Sequence, residues 1–136
     1  MIKFTIPGEP KAKQRHRTTK NGFNYTPKET VEYENWVKQC YFIEHRQTML
    51  EGQIKAEIKA YFGIPKSYTK KRKRAIAEGK VRPTKRPDTD NIAKAVLDSL
   101  NGIAYKDDSA IVSLQVEKYF DEKPRVEVIL EQIQEG

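Results

Sequence analysis

Four short segments alternate apolar and polar residues, and this period of two limits the possible folds more than any other feature of the chain. Because successive side chains of a strand point to opposite faces, such alternation predicts a sheet with one buried face. The segments are residues 2–6, 54–62, 112–116 and 126–130. Since only a turn at residues 121–124 separates the last two, they are predicted to form a hairpin.

Two further segments show the spacing of helices. A long helix is predicted to begin with Thr26 as N-cap, Pro27 as the first helical residue and Glu29 as the partner in a capping box. A shorter helix is predicted over residues 90–100, ended by Gly102 in a left-handed conformation. The residues predicted to face the core are Tyr33, Trp36, Val37, Cys40 and Tyr41 of the first helix and Ile92, Ala93, Val96, Leu97 and Leu100 of the second.

These elements predict an α+β fold. A third, strongly basic helix is expected over residues 68–77. The chain has 136 residues, enough to bury a core of its own, and it contains no linker or internal repeat. The sequence therefore predicts a single domain over residues 1–136, with a mixed four-stranded sheet, a long N-terminal helix and a shorter helix that carries an acidic motif.

Composition limits the compartment and the kind of site. No apolar run is long enough to cross a bilayer, and the first ten residues, MIKFTIPGEP, contain no signal-peptide core. Cys40 is the single cysteine, which excludes an intramolecular disulfide framework and a cysteine-rich zinc site. We therefore expect a cytoplasmic protein with no membrane partner, associated with the nucleoid when it is bound to DNA.

The chain is basic, with 26 Lys and Arg against 19 Asp and Glu and a formal net charge of +7. The excess lies in residues 11–20, which contain no acid, and in residues 66–86, where Glu78 is the one acid. A single basic segment could equally be a solvated surface or a localisation signal. Two of them, one leading directly into a carboxylate cluster, favour a nucleic-acid partner. The predicted DNA contacts are Lys11, Lys13, Arg15, Arg17, Lys70, Lys71, Arg72, Lys73, Arg74, Lys85 and Arg86.

The carboxylate cluster surrounds the predicted start of the shorter helix. Asp88 and Asp90 stand at this start, Lys94 follows one turn later, and Asp107 and Asp108 lie in the loop beyond the helix. Hard divalent cations such as Mg²⁺ bind a few carboxylate oxygens and keep their other positions for water and substrate phosphate. Because ionised carboxylates are costly to hold together without a cation, the set predicts metal-assisted attack on a phosphodiester. Lys94 is placed to offset charge on the reacting phosphate.

Each of these residues also has an ordinary structural explanation. The aspartates at the helix start could be N-caps, and the pair Asp107-Asp108 could form a turn. Asp90, Lys94 and Asp98, spaced four apart, could form surface ion pairs. One cap does not need two aspartates, however, and a turn does not need two more after a basic tract. The set as a whole therefore favours a functional site.

The acidic motif is more specific than a charge pattern. It reads RPDTDNIAKAVLDSLNG over residues 86–102 and is followed by Asp107-Asp108. Near the N-terminus, residues 6–15 read IPGEPKAKQR and are followed by Arg17. In these two stretches the chain resembles the RusA family of Holliday-junction resolvases. The resemblance covers nearly the whole chain and is weakest between residues 66 and 85.

That resemblance implies a small homodimeric endonuclease that resolves four-way DNA junctions with Mg²⁺, or with Mn²⁺ as a substitute. It also implies an origin in a phage or prophage. The metal-binding acids of the family fall on Asp88, Asp90 and Asp108, and its catalytic lysine falls on Lys94. The resemblance leaves open whether Asp107 binds the metal or only supports the loop. Asp98 is interpreted as a supporting residue.

The leading hypothesis is a Mg²⁺-dependent endodeoxyribonuclease that makes paired nicks in four-way junctions during recombination and repair, with DNA shape deciding where it binds. Two rivals stay open. One is a nuclease of broader preference that cuts other branched DNA or RNA with the same site. The other is a non-catalytic nucleic-acid-binding module whose acids only cap and pair. Of the two histidines, His16 is predicted to contact phosphate and His45 to be structural.

Overall fold

A mixed four-stranded sheet forms the centre of the molecule. The computed structural model describes residues 1–15 and 17–135. Its elements, in chain order, are β1 (Ile2–Pro7), β2 (Arg17–Thr18), β3 (Asn24–Tyr25), α1 (Lys28–His45), β4 (Gln53–Gly63), α2 (Lys70–Ala77), α3 (Thr89–Ser99), β5 (Ile111–Asp121) and β6 (Arg125–Ile133). The sheet order is β1–β6–β4–β5, with β6 antiparallel to both neighbours and β4 parallel to β5. The predicted α+β class with a mixed four-stranded sheet is confirmed.

The predicted hairpin of the last two strands is wrong, because β4 lies between β5 and β6. The inward side chains of β4, from Ile54 to Phe62, are all at most 2% exposed, which favours a central position with neighbours on both edges. Its parallel pairing with β5 requires a crossover connection. Residues 64–110 make that crossover and carry α2 and α3, so the sheet topology itself places the acidic motif beside the core.

Helices α1 and α3 cover one face of the sheet and enclose the core. The ring of Phe4 in β1 meets the ring of Tyr41 in α1 edge-on, with the centroids 5.3 Å apart. Every apolar residue predicted for the core face of the shorter helix is at most 5% exposed, which confirms that stripe. Because this face of α3 is buried, Asp90 and Lys94 on its other side are exposed to solvent.

The start of α1 differs from the predicted capping box. The helix begins at Lys28, the N-cap position is occupied by Pro27, and no side chain caps it. The Pro27 carbonyl instead accepts hydrogen bonds from the N–H groups of Thr30 (3.1 Å) and Val31 (3.2 Å). Proline has no side-chain oxygen that could accept from the first helical N–H groups, but its restricted φ suits the extended entry to the helix, so the assignment of Thr26 as N-cap was wrong.

Two residues predicted for the core face of α1 have different outcomes. Trp36 remains 38% exposed, and its indole N–H donates to the Pro7 carbonyl at 2.8 Å, so its ring ties α1 to the end of β1 from the surface. The prediction that it packs in the core was wrong. Cys40 is buried, and burial raises the pKa of its thiol, in agreement with an unreactive core cysteine.

The basic segment after β1 contains a small antiparallel ribbon, whereas the sequence predicted only a loop. β2 pairs with β3 through Arg17 opposite Tyr25 and Thr18 opposite Asn24. Gly22 has a φ of +81°, which the turn of this ribbon requires and which residues with a side chain rarely adopt.

Within the described residues, no helix combines the length and apolar character that crossing a membrane requires.

Gly63, the last residue of β4, has side chains packed against its backbone. Its N–H donates to the carboxylate of Glu9 at 2.9 Å, and an added Cβ would lie 2.5 Å from that Glu9 oxygen and 3.2 Å from the Pro124 ring. We predict that Gly63→Ala destabilises the fold by about 0.5–1.5 kcal/mol, as measured by urea unfolding, because the added methyl group displaces the Glu9 carboxylate from the Gly63 N–H and this hydrogen bond is lost. The same change in a Glu9→Ala background should cost less. Equal stability of Gly63→Ala and the wild type would contradict this packing.

Candidate active site

Helix α3 presents two carboxylates at its N-terminal end that have no hydrogen-bond or ion-pair partner among the described residues. Asp88 occupies the N-cap position, but its side chain makes no capping hydrogen bond, and only its carbonyl is used, by Ile92 N–H at 3.0 Å. Asp90 lies in the first turn and is exposed. Both carboxylates are therefore available for a ligand, and capping does not explain the presence of either.

Asp88 opens into a cleft between the N-terminal segment and the start of α3. The cleft has a volume of about 630 Å³. Two of the predicted DNA contacts, Lys11 and Arg86, line it together with Asp88 and Asn91. A phosphate entering the cleft would meet cations on both sides and a carboxylate suited to a metal ion. The remaining lining residues are Pro10, Ala12, Gln14, Glu29, Thr30 and Pro87.

The N-terminal wall of the cleft is held by Lys13. Its ammonium lies 2.9 Å from the Asp98 carboxylate and 3.8 Å from that of Glu34 in α1. The hydrogen bond to Asp98 raises the pKa of Lys13, so the ammonium is charged at neutral pH. Lys13 was predicted to contact DNA, but here its charge is directed to two carboxylates. Among the described residues, Asp98 thus pairs with Lys13 and not with Lys94, which was its partner in the ordinary structural explanation.

Asp108 forms a carboxyl pair with Asp98. Partial burial, followed by the adjacent Asp98 side chain, raises the pKa of Asp108 above its usual value. The backbone N–H of Asp108 donates to the Asn101 side chain at 2.8 Å, which fixes the loop at the end of α3. Two carboxyl groups this close favour a nearby cation, and Lys13 already supplies one.

Asp107 supports the loop by capping a short 3₁₀ turn, Asp108–Ala110. Its carboxylate accepts a hydrogen bond from the Ser109 N–H at 3.0 Å, and hydrogen bonding by Ser109 lowers the pKa of Asp107. Of the two roles that the sequence left open for Asp107, metal ligand and support of the loop, this geometry favours support.

Lys94 is exposed, and across the described residues no carboxylate oxygen lies within 4.0 Å of its ammonium. The surface ion-pair explanation of Lys94 therefore has no support in the structure.

His45 contacts the carbonyl of Lys3 through Nε2 at 2.6 Å and so connects α1 to β1. His16, predicted to contact phosphate, lies outside the described residues.

The predicted metal ligands are not gathered into one cluster. Within residues 1–15 and 17–135, no group of three or more His, Cys, Asp or Glu is arranged to hold a metal ion. The structure instead places Asp88 in the cleft and pairs Asp98 with Asp108. Magnesium is commonly held by one or two carboxylates together with substrate phosphate, so the hard oxygen donors present here fit this ion.

The basic helix α2 forms a separate cationic surface. It buries none of its residues, and its start is fixed by Tyr68, whose ring packs edge-on against Phe120 at 5.8 Å. Arg72 stacks over the Tyr68 ring at 4.7 Å. The predicted DNA contacts on this helix, all exposed, are Lys70, Lys71, Arg72, Lys73 and Arg74.

The segment that joins α2 to Asp88 is attached to β5. Arg82 donates to the Lys118 carbonyl at 2.7 Å, and the Lys118 ammonium donates to the Lys85 carbonyl at 2.5 Å. Desolvation lowers the pKa of Lys118. Neither Lys118 nor Glu34 was identified from the sequence. Glu34 follows buried Thr30 by one helical turn, so helical periodicity could have indicated that it lies on the inward side of α1. No local sequence pattern indicates the contacts of Lys118.

The fold and site define a class, an α+β protein with a basic cleft and an acidic helix start, suited to binding and cutting nucleic acid. The family described as endodeoxyribonuclease RusA matches residues 7–131. The chain belongs to this family, which implies a nuclease that resolves Holliday junctions. It is also similar to YqaN of Bacillus subtilis (strain 168), a protein described as uncharacterized, with 38% identity over 137 residues, covering 97% of this chain and 96% of the relative.

A pair of substitutions separates the two roles considered for Asp107. Asparagine keeps an oxygen that can accept from the Ser109 N–H, so we predict that Asp107→Asn melts and cleaves DNA like the wild type. Asp107→Ala loses the acceptor and should melt at a lower temperature. Thermal melting and single-turnover cleavage measure both effects. Loss of cleavage in Asp107→Asn with unchanged melting would show that Asp107 is a metal ligand.

Proposed function

We propose that the protein is a Mg²⁺-dependent endodeoxyribonuclease that resolves four-way DNA junctions. The observation that carries this proposal is the cleft lined by Asp88, Lys11 and Arg86, in which the Asp88 carboxylate makes no capping hydrogen bond to α3 and lies among cations. A purely structural aspartate at a helix start would cap the helix with its side chain. A site for a metal-bound phosphate needs a free carboxylate surrounded by cations, as found here.

The acids have the task of holding the metal. Although the described structure does not gather them into one metal-binding group, Asp88, Asp90 and Asp108 would bind Mg²⁺, or Mn²⁺ in its place, through carboxylate oxygens, with substrate phosphate supplying further oxygen ligands. When bound, the metal supplies a more acidic water and neutralises charge on the scissile phosphate. Asp98 would position Asp108 through their side-chain contact and would hold Lys13 through the ion pair. The Asn101 side chain fixes the backbone of Asp108.

Lys94 would stabilise negative charge on the reacting phosphate. It lies one turn along α3 from Asp90, on the exposed side of the helix. Because no carboxylate of the described chain neutralises it within 4.0 Å, its full charge is available to a phosphate oxygen. A preorganised cation at this position acts mainly in the transition state, where the charge is largest.

The remaining cations would hold the phosphate backbone on both sides of the cleft. Phosphate contacts position DNA without reading its sequence, so the branched shape of the substrate would decide where the enzyme binds. Lys13 would act indirectly by holding the N-terminal wall. The direct contacts would be Lys11, Arg15, Arg17, Lys70, Lys71, Arg72, Lys73, Arg74, Lys85 and Arg86.

A second copy of the chain would cover an apolar groove at the other end of α3. The groove has a volume of about 880 Å³, and Phe42, Ile43 and Met49 line it while remaining 51%, 76% and 45% exposed. It also adjoins Gly102 and Ile103, beyond the C-terminal end of α3, whereas the cleft adjoins the N-terminal end. A two-fold dimer built here would leave the cleft of each copy uncovered, because groove and cleft adjoin opposite ends of α3.

The proposal is tested by separating binding from cleavage at Asp90. We predict that Asp90→Asn binds a synthetic four-way junction within a few-fold of the wild type but does not cut it in Mg²⁺, because the change removes a metal ligand without adding negative charge. Gel shift and nicking assays on one preparation decide this, with linear duplex and EDTA as controls. Glu122→Gln removes an exposed acid elsewhere and should cut normally.

Two outcomes of this assay would favour the rivals. Equal cleavage of flaps, forks, RNA and four-way junctions would indicate a nuclease of broader preference. Binding without divalent-dependent nicking in the wild type would indicate a non-catalytic module. Near wild-type cleavage by Asp90→Asn would remove Asp90 from the metal site.

Lys94 separates catalysis from surface charge. We predict that Lys94→Met melts near the wild-type temperature, because the residue is exposed and unpaired among the described residues, yet cuts on the order of 10²-fold more slowly. Lys123→Met, which removes an exposed lysine from the β5–β6 turn, is the matched control and should cut normally. An active Lys94→Met enzyme at saturating concentration would exclude the catalytic role.

A further inference from the structure

The β2–β3 ribbon carries the most exposed phenylalanine of the described chain. Phe23 is 71% exposed, and Tyr25 on the same ribbon is 46% exposed. A single exposed apolar side chain needs no explanation by itself. Here, however, two aromatic rings lie two residues apart on an element that contributes nothing to the core.

Phe23 is held in a defined position. The Thr19 N–H donates to the Phe23 carbonyl at 2.8 Å, the Phe23 N–H donates to the Thr19 hydroxyl at 3.2 Å, and the Gly22 N–H donates to the Thr19 carbonyl at 3.0 Å. The Thr18 and Asn24 side chains are also hydrogen-bonded, at 2.8 Å. These hydrogen bonds order the backbone of the turn that carries the ring, so less backbone entropy is lost when the ring binds.

The charge around the ring selects the partner. From residue 10 to residue 28 the chain contains no acid, and exposed Arg17 and Lys20 flank the turn. A protein or membrane partner would need a continuous apolar surface, which two rings on a cationic ribbon do not provide. Aromatic rings among cations are the common means of binding unpaired nucleic-acid bases, which stack on the ring while the cations hold the backbone.

The base of the ribbon is attached beside the cleft. Lys13 is paired with Asp98, and the Gln14 N–H donates to the Thr30 hydroxyl at 3.1 Å. Gln14 and Thr30 also line the cleft that contains Asp88. The chain that leads into the ribbon is therefore fixed at the wall of the candidate active site.

We propose that the ribbon is a wedge whose Phe23 ring stacks on an unpaired or unstacked base at the branch point of the DNA. This rests on the proposed function and assigns the preference for branched DNA to one side chain. Fully stacked duplex offers the ring no exposed base face, whereas bases at a branch do. Lys20 contributes charge alone and therefore acts on branched and linear DNA alike.

The test measures binding in Ca²⁺, with the full chain, to a four-way junction, a linear duplex of the same sequence and a single-stranded oligonucleotide. We expect Phe23→Ala to weaken junction and single-strand binding by about 5- to 100-fold, the range for losing one base–aromatic stack, and to leave duplex binding unchanged. Phe23→Trp should restore affinity. Lys20→Gln should weaken binding to all three, and Val112→Ala, which trims an exposed side chain of β5, should change none.

Wild-type affinity of Phe23→Ala for both the junction and the single strand overturns the wedge while leaving the nuclease proposal intact. Equal losses on junction and duplex also overturn it, because the ring would then serve backbone contact in general. If the wild type shows neither junction preference nor divalent-dependent cleavage, the proposed function fails. In that case the single-strand measurement still decides whether Phe23 stacks on bases.

Discussion

The ion pair between Lys13 and Asp98 joins two parts of the chain that are 85 residues apart and whose contact creates the cleft. The side chains are 27% and 22% exposed, so the pair contributes on the order of 1 kcal/mol, which is small beside the burial of the core. It decides position more than stability. Together with the hydrogen bond from the Gln14 N–H to the Thr30 hydroxyl, it fixes the segment that carries Lys11 and the ribbon beside the start of α3, where the cations and carboxylates of the site share one geometry.

The parallel pairing of β4 with β5 is the second constraint on the site. The long crossover between them brings α3 onto the sheet, buries its apolar stripe and turns Asp90 and Lys94 outward. The same crossover carries α2, whose cations lie before the acidic motif in the chain. Contacts from Arg82 and Lys118 hold the intervening segment against β5. One topological feature thus arranges both the acids and a large part of the positive charge.

Local patterns predicted what local forces determine. The alternating segments became strands, the stripe from Ile92 to Leu100 is buried, and the acids at the start of α3 are where the motif placed them. Strand order could not be predicted from local patterns. The short turn between β5 and β6 suggested a hairpin, whereas in the fold β4 lies between these strands and pairs with both. The partners of Lys13 were also beyond local reading, since Asp98 and Glu34 meet it only through tertiary packing. The roles of the individual acids remain predictions.

Paired cleavage at a branch is the central claim, and a supercoiled plasmid with an extruded cruciform tests it most directly. Two nicks made within the lifetime of one complex give a linear product, whereas independent nicks give open circles. We predict linear product in Mg²⁺, none in EDTA, and none from the same plasmid after relaxation has absorbed the cruciform. Accumulation of open circles alone, or equal cutting of the relaxed plasmid, would contradict a two-fold enzyme that recognises junctions.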